Sequence, residues 1–223
     1  MSSDIINRTK ILIIGLGGIG SQLTELIVPA LEISGLQVEL NLMDGDSVEP
    51  HNLAHQRFTN QDLNQSKVVA LTKRHSTLDN IKIIGHELNL TSVNQLDGYD
   101  LIVVAVDREQ PRKMVHDSKA QWLDLRCQGD GWLMIDSDTD KTILNNIPQN
   151  TQAVSCQLPG AIDGGNIEFG FAAVAAIGAQ WVTQKVRIVN GFQSKVPKFS
   201  MGYLTYGVMN SPISGGAING GFQ

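Results

Sequence analysis

The chain has 223 residues, 42% hydrophobic and 17% charged, a globular balance with enough apolar material to bury a core. A formal net charge of −5 and a pI of about 5.5 weigh against nucleic acid as a partner, and the basic run Lys73-Arg74-His75 reads as a solvated helix face. Residues 1–10 lack the apolar core of a secretory signal, and the stretch from Phe169 to Val182 is too short to span a bilayer. The expected compartment is therefore the cytoplasm, with no membrane partner.

Ile11-Leu12-Ile13-Ile14 is a continuous apolar run and reads as a strand buried on both faces. It stops at Gly15-Leu-Gly-Gly-Ile-Gly20-Ser21, after which Leu23, Leu26, Ile27, Ala30 and Leu31 recur at helical spacing. Strand, glycine turn and helix in this order set up a nucleotide-binding fingerprint. Gly15 and Gly17 allow a tight turn and a close phosphate, and Gly20 lets the helix lie against the strand. The free N–H groups at the helix start attract anions. A second strand, Val38 to Leu42, ends at Met43-Asp44, where a carboxylate can accept ribose hydroxyls. A glycine-rich turn with no nucleotide is the plain alternative; the flanking pattern and Asp44 favour binding.

The polar segment from Asp44 to Arg57 reads as loop or short helical turns. Its Asp46, Asn52 and basic groups are candidates for the mouth of the site. Ser66 to Leu78 is expected to be helical, with Lys67 in the first turn. A lysine there opposes the helix dipole, which hints at a phosphate ligand, although an exposed lysine is the ordinary explanation. Ile81 to Gly85 and Leu101 to Val106 read as further strands. Asp107 follows the second of these, on the side of an open α/β sheet where ligands bind, and Arg112 lies near the start of the next helix.

Trp122 to Arg126 and Trp132 to Ile135 read as strands joined by a hairpin connection through Gln128-Gly-Asp-Gly131. Thr142 to Leu144 is expected to be a short strand. Pro148 to Asn166 has no periodicity and is long for a structureless connection. Ile167 to Val186 is apolar nearly all round and reads as a buried helix, plausibly packed on a second copy of the chain. Phe199 to Tyr206 suggests a strand before a Gly/Ser/Asn-rich tail containing Gly220 and Gly221. The predicted fold class is α/β: a Rossmann-like, mostly parallel sheet flanked by helices, with antiparallel strands added in the C-terminal half. One domain is expected over 1–223, with a nucleotide-binding core over 1–145 and a crossover loop, apolar helix and extension over 146–223. The two cysteines, Cys127 and Cys156, make neither a disulfide framework nor a four-thiolate zinc site.

Gly15-x-Gly-Gly-x-Gly-Ser21, Asp44-x-Asp-x-Val-Glu-x-x-Asn-Leu-x-x-Gln56, Lys67 and Asp107 together resemble the ThiF/MoeB family of adenylating enzymes, relatives of the ubiquitin-activating enzymes. The first half of the chain carries the resemblance, and the segment from Asp44 to Gln56 is its most specific part. The resemblance implies that the chain binds ATP with Mg²⁺ and attaches AMP to a carboxylate. The substrate would be the C-terminal glycine of a small ubiquitin-like carrier protein or a peptide, and the enzyme would be a homodimer. By that resemblance Gly15, Gly17, Gly18, Gly20 and Ser21 would hold phosphates, with Asp46 and Gln56 in the same site and Asp44 on the ribose. Asn52 and Lys67 would face the α-phosphate, and Asp107 would hold Mg²⁺.

Some positions depart from the family pattern. Where the family reads Asn-Leu-x-Arg-Gln, this chain has His55, so either Arg57, two residues on, swings in to replace the missing cation or phosphate stabilisation is weaker. A second family arginine precedes the first strand, where Arg8 is the sole candidate. Zinc-binding Cys-x-x-Cys pairs are absent, so no structural zinc is expected. Cys156 sits where some members carry a cysteine that receives the activated carrier; a structural thiol is the competing reading. A nucleotide-binding partner subunit with little activity alone is an alternative, as is an NAD-dependent oxidoreductase.

Overall fold

The computed structural model describes residues 7–76, 78–147 and 155–205, with backbone also at 208–210. The strands are β1 (Thr9–Ile14), β2 (Val38–Met43), β3 (Ile81–His86), β4 (Leu101–Val104), β5 (Gln121–Gln128), β6 (Gly131–Asp136), β7 (Phe199–Tyr203) and β8 (Val208–Asn210). They form one eight-stranded sheet in the order β3-β2-β1-β4-β5-β6-β7-β8. The first five in that order are parallel, and β6, β7 and β8 add antiparallel. The helices are α1 (Gly18–Ser34), α2 (Lys67–Arg74), α3 (Glu109–His116), α4 (Lys141–Asn146) and α5 (Gly170–Val189). This is the Rossmann-like arrangement with antiparallel C-terminal strands that the patterning predicts.

The continuous apolar runs of β1 and β4 follow from having a covered sheet face on either side. Ile11, Ile13, Leu101 and Val103 point into a core shared with α1 and α5. Leu12, Ile14, Ile102 and Val104 point into a second core with Leu90, Leu96, Val115 and Trp122. Alternation is absent because neither face meets water.

Close backbone approach explains the small residues of α5. A Cβ on Gly178 would lie 2.6 Å from Leu125 Cδ1, and one on Gly170 would lie 2.5 Å from the carbonyl oxygen of Gly129. The helix therefore lies flat on β5, β6 and α1 of its own chain. That packing accounts for the apolar character from which the sequence suggested a second copy. Just before the helix, the Gln157 side chain pairs with the backbone of Glu168. Its amide donates to the Glu168 carbonyl at 2.7 Å and accepts the Glu168 N–H at 3.0 Å.

Two local expectations are corrected. Thr142 to Leu144 is helical, within α4, because Asp140 caps the segment by accepting the Thr142 N–H at 2.7 Å. Past Tyr206 the chain does not pass directly into tail: β8 pairs with β7. Gly220 and Gly221 lie outside the described residues, as does the segment 148–154. No described helix is long and apolar enough to cross a membrane.

The turn after β1 depends most on a missing side chain. A Cβ on Gly20 would overlap the Gly15 carbonyl oxygen, whereas one on Gly17 would meet nothing within 4 Å. Gly20→Ala is expected to lower stability by about 3 kcal/mol in urea denaturation, since a backbone carbonyl cannot move aside as a side-chain end can. Gly17→Ala should keep a near-native midpoint. A native midpoint for Gly20→Ala would contradict the packing described.

Candidate functional site

In the strand order β3-β2-β1-β4-β5 the chain reverses direction of growth between β1 and β4, and open α/β sheets bind ligands at such a point. A cavity of about 690 Å³ opens there, within the usual range for small-molecule sites of roughly 300–1,000 Å³. Gly15, Gly17 and Gly18 form one wall, with Asp44, Asp46 and Lys67 beside them. Asn52, Gln56, Asp107 and Cys156 complete the lining. Residues scattered over more than a hundred positions of sequence thus share one space.

The turn is fixed before any ligand arrives. Gly15 has φ of +89°, and a Cβ on it would sit 2.6 Å from the Ala105 carbonyl oxygen at the end of β4. Asp44 Oδ2 accepts the Leu16 N–H at 2.6 Å, and Oδ1 accepts the Asp46 N–H at 2.8 Å. Burial pushes the Asp44 carboxyl up, while the Lys67 charge and these backbone donors oppose that rise. Lys67 is the first residue of α2 and only 6% exposed. Its Nζ lies 3.2 Å from Asp46 Oδ2, so the dipole conflict seen in sequence is met by a carboxylate.

Gly20 and Ser21 do not line the cavity; they brace it. Ser21 donates to the Gly17 carbonyl at 2.7 Å and accepts the Arg57 N–H at 3.0 Å. Asn52 is 4% exposed and accepts the Glu49 N–H on Oδ1 at 2.9 Å. Its amide donors, not its carbonyl, are therefore the groups left for a ligand.

Neither arginine expected to replace the family cation reaches the cavity. Arg57 is exposed, and its guanidinium donates to Gln22 on α1. Arg8 donates to the Val38 and Asn80 carbonyls at 3.2 and 2.7 Å, at the opposite end of the strands. The arginines that line the cavity, beside Lys67, are Arg108 and Arg112, at and within the start of α3. His55 also lines it, packed on Gly18 and edge-on to Phe171 at 5.9 Å. Burial, then the charges of His51 and Lys67, lower its pKa, so its ring is neutral at pH 7.

Arg112 is held by an acid that the sequence reading passed over. Asp124, on β5, is fully buried and faces three basic side chains. Arg126 reaches Oδ2 at 2.6 Å through Nη2, His116 reaches it at 3.0 Å, and Arg112 Nε lies 3.4 Å from Oδ1. Although burial opposes ionisation, the His116, Arg126 and Arg112 contacts together hold the Asp124 carboxyl below the ordinary range. The signal was an acid inside an apolar strand, Trp122-Leu-Asp-Leu, which requires basic partners. Asn89, Leu90 and Thr91, which follow β3, also line the cavity and had no sequence signal beyond their place after a strand.

Polar atoms with no partner test the fit to a phosphate-bearing ligand. His55 Nδ1 and Gln56 Oε1 are buried without a hydrogen bond, and both residues line the cavity. Above Gly17 there is open space where a side chain would stand. A backbone cradle and a buried lysine suit a phosphate ester, while Gln56 Oε1, an acceptor, suits an N–H or O–H elsewhere on the ligand. Asp107 is exposed on the cavity wall and makes no hydrogen bond or ion pair among the described residues. No group of three or more His, Cys, Asp or Glu among them is arranged to hold a metal. A single carboxylate completed by substrate phosphates and water is an ordinary Mg²⁺ arrangement.

Fold and cavity together define an open α/β domain with an anion-suited crevice at its topological switch point. The sequence profile of the ThiF family matches residues 2–214, and the chain belongs to that family. Two Zea mays proteins, "Adenylyltransferase and sulfurtransferase MOCS3-2" and "MOCS3-1", are 32% and 31% identical over 119 residues. That match covers 50% of this chain but only 23% and 24% of theirs. Among solved structures, Escherichia coli MccB in a crystal with MccA-N7isoASN superposes with a TM-score of 0.66 at 18% identity, over 92% of this chain and 64% of that one. PaaA superposes with a TM-score of 0.62 at 17% identity, over 92% and 64%. These structural likenesses support the fold.

Removing the Asp124 charge leaves Arg112, Arg126 and His116 facing an amide. Asp124→Asn is expected to cost about 3 kcal/mol or more at pH 7 in urea denaturation. Because the folded carboxyl is held below its unfolded value of about 3.9, its contribution is present above that value and lost as pH falls through the folded pKa. The gap between wild type and variant should therefore close on acidification below pH ~4. A gap that widened there would contradict the assignment.

Proposed function

We propose that this chain is an ATP-dependent adenylyltransferase that activates the C-terminal carboxylate of a small ubiquitin-like carrier protein or a peptide and releases pyrophosphate. The observation that carries the reading is the meeting of Gly17, Lys67, Asn52 and Asp107 in one cavity. The likeness to the Zea mays adenylyltransferase and sulfurtransferase proteins, and crystals of MccB with ATP and with MccA, support it. Residues 1–223 act as one adenylation domain in this proposal, in the cytoplasm and as a homodimer.

The chemistry asks little of acid–base groups. A peptide carboxylate is ionised at neutral pH, so it attacks the α-phosphorus without a general base. The bond from carboxylate oxygen to phosphorus forms as the bond to the pyrophosphate oxygen breaks. What the chain supplies is alignment and fixed charge. The backbone N–H groups at the start of α1 receive phosphate oxygens, and Asp44 meets the ribose. Lys67 and the Asn52 donors oppose the charge that builds on the α-phosphate. Arg112, held by Asp124, stands across the cavity and takes the place of the cation that His55 does not provide. Asp107 would hold Mg²⁺, which, when bound, draws charge from the departing pyrophosphate.

ATP–pyrophosphate exchange with a panel of carriers ending in Gly-Gly and of short peptides tests the reading. Wild type is expected to exchange label only with its cognate carboxylate. Lys67→Ala and Asp107→Ala should each lower the rate by about 10²-fold or more, as loss of a fixed electrostatic partner does, with native far-UV circular dichroism. Full exchange by either folded variant would overturn the assigned roles, and absence of ATP binding at millimolar concentration would overturn the reading itself.

A further inference from the structure

Cys127 and Cys156, 29 positions apart and the only cysteines of the chain, are brought together by the fold. Cys127 is the penultimate residue of β5. The segment carrying Cys156 runs beside the end of that strand, where the Gly129 N–H donates to the Cys156 carbonyl at 2.9 Å. Both side chains pack against the same core cluster, and each is the largest single influence on the other's protonation. Both are free thiols, and both line the large cavity rather than a sealed core.

The Cys127 contact lowers the Cys156 pKa, against its burial and the Asp107 charge. The Arg112 charge, and after it the backbone at Ile19 in the first turn of α1, act in the same lowering direction. A helix N-terminus and a nearby arginine are the setting in which thiols become reactive, whereas thiols buried in apolar cores stay inert. The same contact, followed by burial, pushes the Cys127 thiol up, so it is the protonated partner.

We propose that Cys127 and Cys156 form a redox-active dithiol site that takes low-molecular-weight disulfides of the glutathione class through the cavity. The Cys156 thiolate attacks one sulfur of the small disulfide. A mixed disulfide forms at Cys156, and the other half leaves as a thiolate. Once Cys156 is bonded it no longer carries charge, so ionisation of Cys127 loses its nearest electrostatic opponent, and Arg112 favours the new thiolate. Cys127 gives its proton to the released thiolate and attacks Cys156 Sγ. The Cys127–Cys156 bond forms, and the second half leaves. The protein gives up two electrons, and the small disulfide is reduced to two thiols. The Gly129–Cys156 backbone bond and the shared cavity place the two side chains beside each other, as such exchange requires. The site does not depend on the adenylation reading.

Reduced full-length protein is incubated with oxidised glutathione, quenched with N-ethylmaleimide and weighed by intact mass spectrometry. The expected product is a monomer lighter by two hydrogens, with no maleimide added and a proteolytic fragment joining Cys127 to Cys156; dithiothreitol restores both labels. Cys127→Ser should stop at one glutathione on Cys156, and Cys156→Ser should react about tenfold or more slowly, having lost the attacking thiolate. Two alkylated thiols after the same exposure, a mixed disulfide that persists on wild type, or a bond between two chains would each overturn the proposal. The wild-type result decides it even where a serine variant fails to fold.

Discussion

Everything at the cavity depends on how the backbone turns between β1 and α1. The turn is held from two directions. From below, Gly20 presses on the Gly15 carbonyl with no room for a methyl group. From the side, Asp44 Oδ2 takes the Leu16 N–H at 2.6 Å. One hydrogen bond thus joins the end of β1's turn to the end of β2, and the parallel pairing of those strands fixes where Asp44 stands. Gly17 and Gly18, at the start of α1, then line the cavity in a backbone geometry set by packing, which a ligand need not order. Preorganised donors of this kind are worth more than flexible ones, because their reorganisation is not charged to the reaction.

The charges around that turn come in balanced groups. Lys67 sits between Asp44 and Asp46, while Arg112 hangs on Asp124 with Arg126 and His116. A buried cation without such a partner would lose its charge or leave the interior. Here Lys67 and Arg112 each keep a carboxylate within ion-pair distance, so each can face an anion without being free to wander. The neutral ring of His55 fits the same pattern. It fills the space against Gly18 and Phe171 where a guanidinium would add a further unpaired charge, and Arg112 approaches from the other wall.

Much of the fold was legible because its signals are local. The apolar runs of β1 and β4, the glycine turn and the helical spacing after it each reflect a single element and its two neighbours. The Gly129 hairpin and the residues grouped around the cavity, from Gly15 through Asp107, were legible for the same reason, since parallel strands deliver their C-terminal ends to one edge. What escaped was set by tertiary contact. Arg57 looked available by position, but Gln22 on α1 takes its guanidinium. Arg112 looked like an ordinary helix residue, because Asp124 reaches it from a strand twelve positions on. The Thr142 segment had strand-like residues, yet the Asp140 cap set it as a helix. The proximity of Cys127 and Cys156 depends on the path of a connection that has no periodicity to read.

The central claim is that the glycine turn, Lys67 and Asp107 act on one triphosphate. A crystal structure of the full chain with a non-hydrolysable ATP analogue and magnesium tests this most directly. The account predicts phosphate oxygens within hydrogen-bond reach of the backbone at Gly17 and Gly18 and of Lys67 Nζ, with the metal bridging Asp107 to the same phosphates. Nucleotide density elsewhere on the molecule, or a triphosphate in the cavity turned away from both Lys67 and Asp107, would contradict it.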